Sequence, residues 1–194
     1  MLAGNSRYFA FWYDVEKREP KEIFGSFNVF LNSTLLIDEV DADFGLMAIA
    51  SDLKKTLSGI DALREFPKDR NPKQVFLSSL HEHGFLSFED PVIPEHWRNS
   101  SNGKVTEFLE LFSNLIRERR ADPPISLEVC MGPRLCEQGW RFFLFAKGKK
   151  EVMLASPDQG RSVMKFVLPK GRVKAAISSF LNFEDFAHVI FPLS

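Results

Sequence analysis

Tyr8-Phe9-Ala10-Phe11-Trp12-Tyr13-Asp14-Val15-Glu16-Lys17-Arg18-Glu19-Pro20-Lys21-Glu22-Ile23-Phe24-Gly25-Ser26-Phe27-Asn28-Val29-Phe30-Leu31 is the stretch on which the fold turns. Phe9, Phe11, Tyr13 and Val15 occupy one side of a period-two pattern, and Ile23 to Leu31 is a second β-rich run with Gly25 inside it. The charged connection Glu16 to Lys21, with Pro20 in it, has the composition of a solvent-facing turn, so the two runs predict an antiparallel hairpin. Asn32-Ser33 leads to a third short strand, Thr34 to Ile37.

Outward from the hairpin the period changes. From Asp43 onward, Phe44, Met47, Ala48, Leu53 and Leu57 are spaced for a helix, with Asp41 or Asp43 available to cap its free N–H groups. Asn71-Pro72 reads as an N-cap followed by proline in the first helical position, and Val75, Phe76, Ser79 and Leu80 carry that helix to His83-Gly84. Phe85 to Gly103, with Pro91 and Pro94, reads as mostly loop. Val105, Phe108, Leu109, Phe112, Leu115 and Ile116 mark a third helix that Asp122-Pro123-Pro124 ends.

Alternation returns at Ile125, Leu127, Val129 and Met131, a half-buried strand. Trp140 to Lys147 and Glu151 to Ser156 form a hairpin across Gly148-Lys149-Lys150, and Ser162 to Leu168 is a further strand. Gly171 precedes a last helix, Val173 to Phe183, and Phe186 to Phe191 is a closing strand or packed tail. The sum is one α+β domain over residues 1–194: a mostly antiparallel sheet, built from N-terminal strands and a C-terminal meander, packed with about four helices.

Composition agrees with that class and narrows the chemistry. The 194 residues are 44% apolar and 26% charged, with 25 basic and 26 acidic side chains, which suits neither a disordered chain nor a nonspecific nucleic-acid binder. Twenty Phe against two Tyr favour large buried side chains that need no hydroxyl partner. No run approaches the roughly 20 apolar residues that cross a bilayer, and Arg7 is followed by too short an apolar run for a signal peptide, so a cytoplasmic protein with no membrane partner is expected. The charge is polarised: residues 1–97 carry net −6 and residues 98–194 net +5. Acidity concentrates at Asp38-Glu39-Val40-Asp41-Ala42-Asp43, and basicity around Arg117 to Arg120, Lys147 to Lys150 and Lys170 to Lys174.

The motifs for common chemistries are missing. There is no G-x-S-x-G elbow, phosphate loop or dinucleotide fingerprint. His81-Glu82-His83 lacks the H-E-x-x-H spacing that puts both imidazoles on one helical face, and reads as a solvated helix end. Cys130 and Cys136 are not in a C-x-x-C arrangement and read as reduced thiols. Cys136 with His188, or Glu89 with Asp90, offers residue types for catalysis but no geometry. No enzyme activity, metal or cofactor is therefore expected.

Surfaces offer more. Asp38, Glu39, Asp41 and Asp43 repel one another unless solvated or facing a cation. They read as a solvated loop with a helix cap, as a docking surface for a basic protein, or, lacking an EF-hand loop and distal Glu, last as a calcium site. Trp12 and Trp140 fall in predicted strands, where core packing is the ordinary role. Trp97, beside Glu95, His96 and Arg98, has the composition of an interface anchor as well as of a loop anchor.

Met1-Leu2-Ala3-Gly4-Asn5-Ser6-Arg7-Tyr8-Phe9-Ala10-Phe11, followed by Phe24-Gly25-Ser26-Phe27-Asn28-Val29-Phe30-Leu31-Asn32, resembles the start of the immunity protein 42 family of bacterial polymorphic toxin systems. Members begin with Met, a Gly-Asp or Gly-Asn and a Phe-Ala strand, and then show a Gly-x-Phe strand leading to a small turn. The likeness is strongest over about the first 32 residues; Ala3, inserted before Gly4, and a long middle region depart from the pattern. The resemblance implies an antitoxin that sequesters a toxin domain, often a nuclease, and is a monomer or weak homo-oligomer when free, with no direct nucleic-acid contact. On that footing Asp38, Glu39, Asp41 and Asp43 are the expected toxin-binding face, and Glu89, Asp90, Glu95 and Trp97, read as sharing an exposed loop, the second. A hydrolase or transferase with an enclosed pocket, and a secretion-system adaptor with a broad apolar patch, are the alternatives.

Overall fold

A computed structural model of the chain describes residues 1–37, 44–90, 110, 113–114 and 116–183. The opening hairpin is β2 (Phe9–Glu19) paired with β3 (Glu22–Leu31), and it forms the centre of an antiparallel sheet. Its strands run further than the sequence pattern indicates. The ladder continues through Arg18↔Ile23 and Glu19↔Glu22, leaving only Pro20-Lys21 as the turn, because a register shift between Val15 and Lys17 lets the charged end keep pairing.

β1 (Leu2–Asn5), which the sequence reading omitted, pairs with Phe9–Trp12 of β2. On the other edge β4 (Thr34–Leu35) and β5 (Phe44–Gly45) both pair with β3, at its opposite ends. Asn32 and Ser33 have φ of 49° and 65°, the left-handed pair that a tight two-residue hairpin needs, and the strand after them is two residues long rather than reaching Ile37.

The expected first helix is α1 (Leu46–Gly59). Its N-cap is Gly45, with no side-chain cap, and the carboxylate serving its free N–H groups comes from β3: Glu22 Oε1 accepts from the Met47 N–H at 2.9 Å. Asp41 and Asp43, expected as caps, lie outside the described residues. A 3-10 turn, Ile60–Ala62, follows. In α2 (Pro72–Glu82), Asn71 caps the Lys73 N–H at 2.8 Å with Pro72 in the first position, and Gly84 (φ +80°) lies just past its end. Of the expected third helix most residues lie outside the description; residues 116–119 are helical, running three residues past Ile116.

A second antiparallel sheet follows in the order β6 (Leu127–Glu128), β7 (Arg141–Lys147), β8 (Lys150–Ser156) and β9 (Met164–Pro169). β6 is shorter than the alternation suggested, because Gly132 (φ +92°) turns the chain and Gly132-Pro133 starts a five-residue helix, α3 (Pro133–Glu137). That helix was not anticipated, although the Pro at its start is an ordinary helix signal. The last helix, α4 (Arg172–Leu181), begins where Gly171 indicated, and the expected segment Phe186 to Phe191 lies outside the described residues.

The central strands of the second sheet, β7 and β8, are buried on both faces, which explains their continuous apolar runs. Phe143, Phe145, Val152 and Leu154 pack with Phe66 and with Val75, Phe76 and Leu80 of α2. Phe142, Leu144, Met153 and Ala155 join a larger cluster with α1, α4 and the inner face of the first sheet. Phe180 is the hub of that cluster, with ring centroids 5.6 Å from Phe11, 5.8 Å from Phe27 and 4.8 Å from Tyr13.

Candidate functional site

The first sheet has an inner face that is buried and an outer face that is not. Phe9, Phe11 and Tyr13 point inward, so by the same alternation Trp12 points outward, and it is 38% exposed. Core packing, expected for Trp12, is thus corrected; the period-two pattern that placed its neighbours inside already contained the answer. Leu2 lies directly across the ladder from Trp12 and is 54% exposed. Leu35, opposite Phe30 on the far side of β3, is 39% exposed. These are among the few large apolar side chains exposed among the described residues. Trp140, the other strand tryptophan, immediately precedes β7, is half-buried and stacks on Phe142 at 5.5 Å.

The residues that flank the acidic run belong to the same part of the fold. Asp38, Glu39, Asp41 and Asp43 lie outside the described residues, but the residues on either side do not: Ile37 and Phe44 are both buried at 1% exposure. Leu35 pairs with Phe30 near one end of β3 and Phe44 with Gly25 near the other.

The second expected patch divides. Glu89 is exposed, and Glu95 and Trp97 lie outside the described residues. Asp90 is not on an exposed loop; it is buried. Its Oδ2 accepts from the Ser87 N–H (2.8 Å), the Ser87 hydroxyl (2.9 Å) and His81 Nε2 (2.8 Å), and its Oδ1 pairs with Arg119 at 2.7 Å. Burial opposes its charge, but these donors outweigh burial and hold the carboxyl down at about 2. Asp90 thus fastens the start of the loop to α2 and to the helical residues 116–119.

His81 and His83 diverge, as their spacing requires, but neither is the solvated end expected. His83 stacks near Phe143 (5.2 Å) and donates to the Ser126 carbonyl (3.0 Å), and burial lowers its pKa. An open cleft of about 460 Å³ beside it is lined by Glu82, His83, Arg117 and Arg120. Two of its polar groups are committed to the fold: Glu82 accepts from the Ile125 N–H at 2.8 Å, and His83 holds Ser126. Cys136, half-buried, does stand near a carboxylate, Glu128, and 4.0 Å from Cys130. The two described histidines are engaged elsewhere, so no imidazole stands beside that thiol among the described residues, and His188 lies outside them. The hydrogen bond between the thiols, with burial, pushes Cys130 up, while that bond holds Cys136 down.

A sheet face with exposed apolar side chains fits a binding protein. The profile of the immunity protein 42 family matches residues 1–183. The chain belongs to the immunity protein 42 family. It is an immunity protein of bacterial polymorphic toxin systems. The crystal structure of CdiI from Burkholderia dolosa has the same fold, with a TM-score of 0.61 at 15% identity, over 93% of this chain and 98% of that one. No curated protein matches the sequence. Among the described residues of this immunity protein, no helix is long and apolar enough to cross a membrane.

Proposed function

We propose that this immunity protein binds a cognate toxin domain, a nuclease, in the cytoplasm, and neutralises it by covering its active or substrate-binding surface with no catalysis of its own. The single observation that carries the reading is the family match over residues 1–183. The likeness in fold to CdiI, an immunity protein by name, is consistent with it.

Nucleases are basic where they hold phosphates, so a cluster of carboxylates can occupy that surface in place of nucleic acid. Asp38, Glu39, Asp41 and Asp43 are the proposed electrostatic contacts, and Trp12, Leu2 and Leu35 on the outer face of the first sheet the proposed apolar anchors. Glu89, Glu95 and Trp97 form a second proposed patch, with Asp90 holding the base of their loop. The chain acts as one domain, monomeric or weakly self-associating when free.

The test is co-purification with the toxin domain encoded beside this gene, together with growth of cells expressing that toxin with and without the immunity protein. A stable complex that restores growth is expected; neither binding nor rescue defeats the reading. Replacing Asp38, Glu39, Asp41 and Asp43 together by Lys is expected to slow association by at least about tenfold, since complementary charge raises on-rates by that order or more. Unchanged affinity in a folded variant rejects this face.

A further inference from the structure

Three elements, and the segment that joins two of them, bring sulfur and carboxylate side chains to one point. Glu128 comes from β6 and Cys130 from two residues beyond it; Cys136 comes from α3 and Asp52 from α1. One ligand atom each from Glu128, Cys130 and Cys136 lies within 4.8 Å of the others, and all three residues are half-buried. The two sulfurs are 4.0 Å apart. Asp52 Oδ2 stands 3.4 Å from Cys130 Sγ.

We propose that Cys130, Cys136 and Glu128 form a binding site for a thiophilic divalent cation of the zinc class, with Asp52 or a water as the fourth ligand. Zinc–sulfur bonds of about 2.3 Å in tetrahedral geometry require sulfurs about 3.8 Å apart, so the observed spacing needs only a small contraction. It is also twice the length of a disulfide bond, which is about 2.05 Å. The donor set suits the ion: two thiolates select zinc over magnesium or calcium, and carboxylate oxygen completes the usual mixed sphere.

The surroundings hold the ligands in place. Gly132 makes the turn between the cysteines, and a Cβ there would lie 2.8 Å from the Ile49 side chain. Thr56 Oγ1 bonds the Glu128 carbonyl at 3.3 Å, and Arg141 donates to the carbonyls of Cys136 and Trp140 at 2.9 and 2.8 Å. The Arg141 guanidinium stays 3.9 Å from Glu128 Oε1, so that pair is too long to occupy the carboxylate fully. Partial exposure of the three ligands leaves an entry path.

Such a cation would cross-link α3 to β6, and with Asp52 as the fourth ligand would tie α1 to both. The inference concerns the fold and is independent of what the protein binds as an antitoxin.

The experiment is titration of the full chain, chelator-treated and held reduced, with Co²⁺ and then Zn²⁺. One equivalent of Co²⁺ giving a thiolate-to-cobalt charge-transfer band and tetrahedral visible bands, all displaced by Zn²⁺, is expected. Cys130→Ser and Cys136→Ser are each expected to abolish the charge-transfer band, and Glu128→Gln to weaken Co²⁺ at least about tenfold. Zinc is expected to raise the thermal midpoint of the wild-type chain and leave that of Cys136→Ser unchanged. A wild-type chain with both thiols free by titration and no charge-transfer band overturns the proposal. So does cobalt held by oxygen and nitrogen ligands alone, indifferent to either cysteine substitution. The wild-type result stands even if a variant fails to fold.

Discussion

Gly25 and Asp90 decide more than their size suggests. A Cβ on Gly25 would lie 1.8 Å from the Asp14 carbonyl oxygen, so no other residue fits where β3 passes the bulge in β2. Asp90 exchanges hydration for four donors, and its carboxyl falls from an ordinary 3.8 to about 2. A carboxyl with a lowered folded-state pKa stabilises the protein above its unfolded value, and that contribution fades as pH drops from about 4 through about 2. The contribution is about 2 kcal/mol. Asp90→Asn is expected to lose it at neutral pH and to flatten the acid limb of the stability curve, measured by urea unfolding between pH 2 and 6. An acid limb identical to that of the wild type would show that the network contributes nothing.

At the scale of elements, α1 and α4 depend on neighbours distant in sequence. Glu22 reaches from β3 to the free N–H of Met47, supplying both a hydrogen bond and a negative charge at the helix start. Glu22→Ala is expected to cost about 1 kcal/mol, the usual value of a lost N-terminal cap, while Glu22→Gln keeps part of it; equal stability of all three proteins would argue against the cap. Phe180 presents α4 to Phe11, Tyr13 and Phe27 and is fully buried. Phe180→Ala empties that hub and is expected to cost about 3–5 kcal/mol in chemical denaturation. A loss near that of a surface substitution would mean the aromatic cluster repacks around the gap.

For the molecule as a whole, burial and charge are distributed on different plans. The central strands of the second sheet are covered on both faces, whereas the first leaves Leu2, Trp12 and Leu35 on its outer side. Binding through that face predicts two separable effects. Trp12→Ala is expected to weaken toxin binding by about 2 kcal/mol or more, chiefly in the dissociation rate, as truncated anchors do. Added salt is expected to slow association while leaving dissociation nearly constant. Surface plasmon resonance at two ionic strengths separates them, and an association rate indifferent to salt would remove the acidic run from the encounter.

Periodicity, turn residues and caps act over a few positions, and what depends on them was legible in the chain: the central hairpin, Asn71-Pro72 at the start of α2, the meander and Gly171 before α4. The family likeness was legible too, in the short Gly-Asn and Gly-x-Phe segments of the first 32 residues. Partners far apart in sequence were not. β1 carries too few residues to show a period, and the Glu22 cap joins positions 25 residues apart. Asp90 looks like an ordinary loop acid until His81 and Arg119 are folded onto it. Cys130 and Cys136, an unremarkable pair by spacing, meet Glu128 and Asp52 only because α1, α3 and β6 converge. Local stereochemistry is written residue by residue, but burial and the meeting of charges and thiols are properties of packing, and only the tertiary structure decided them.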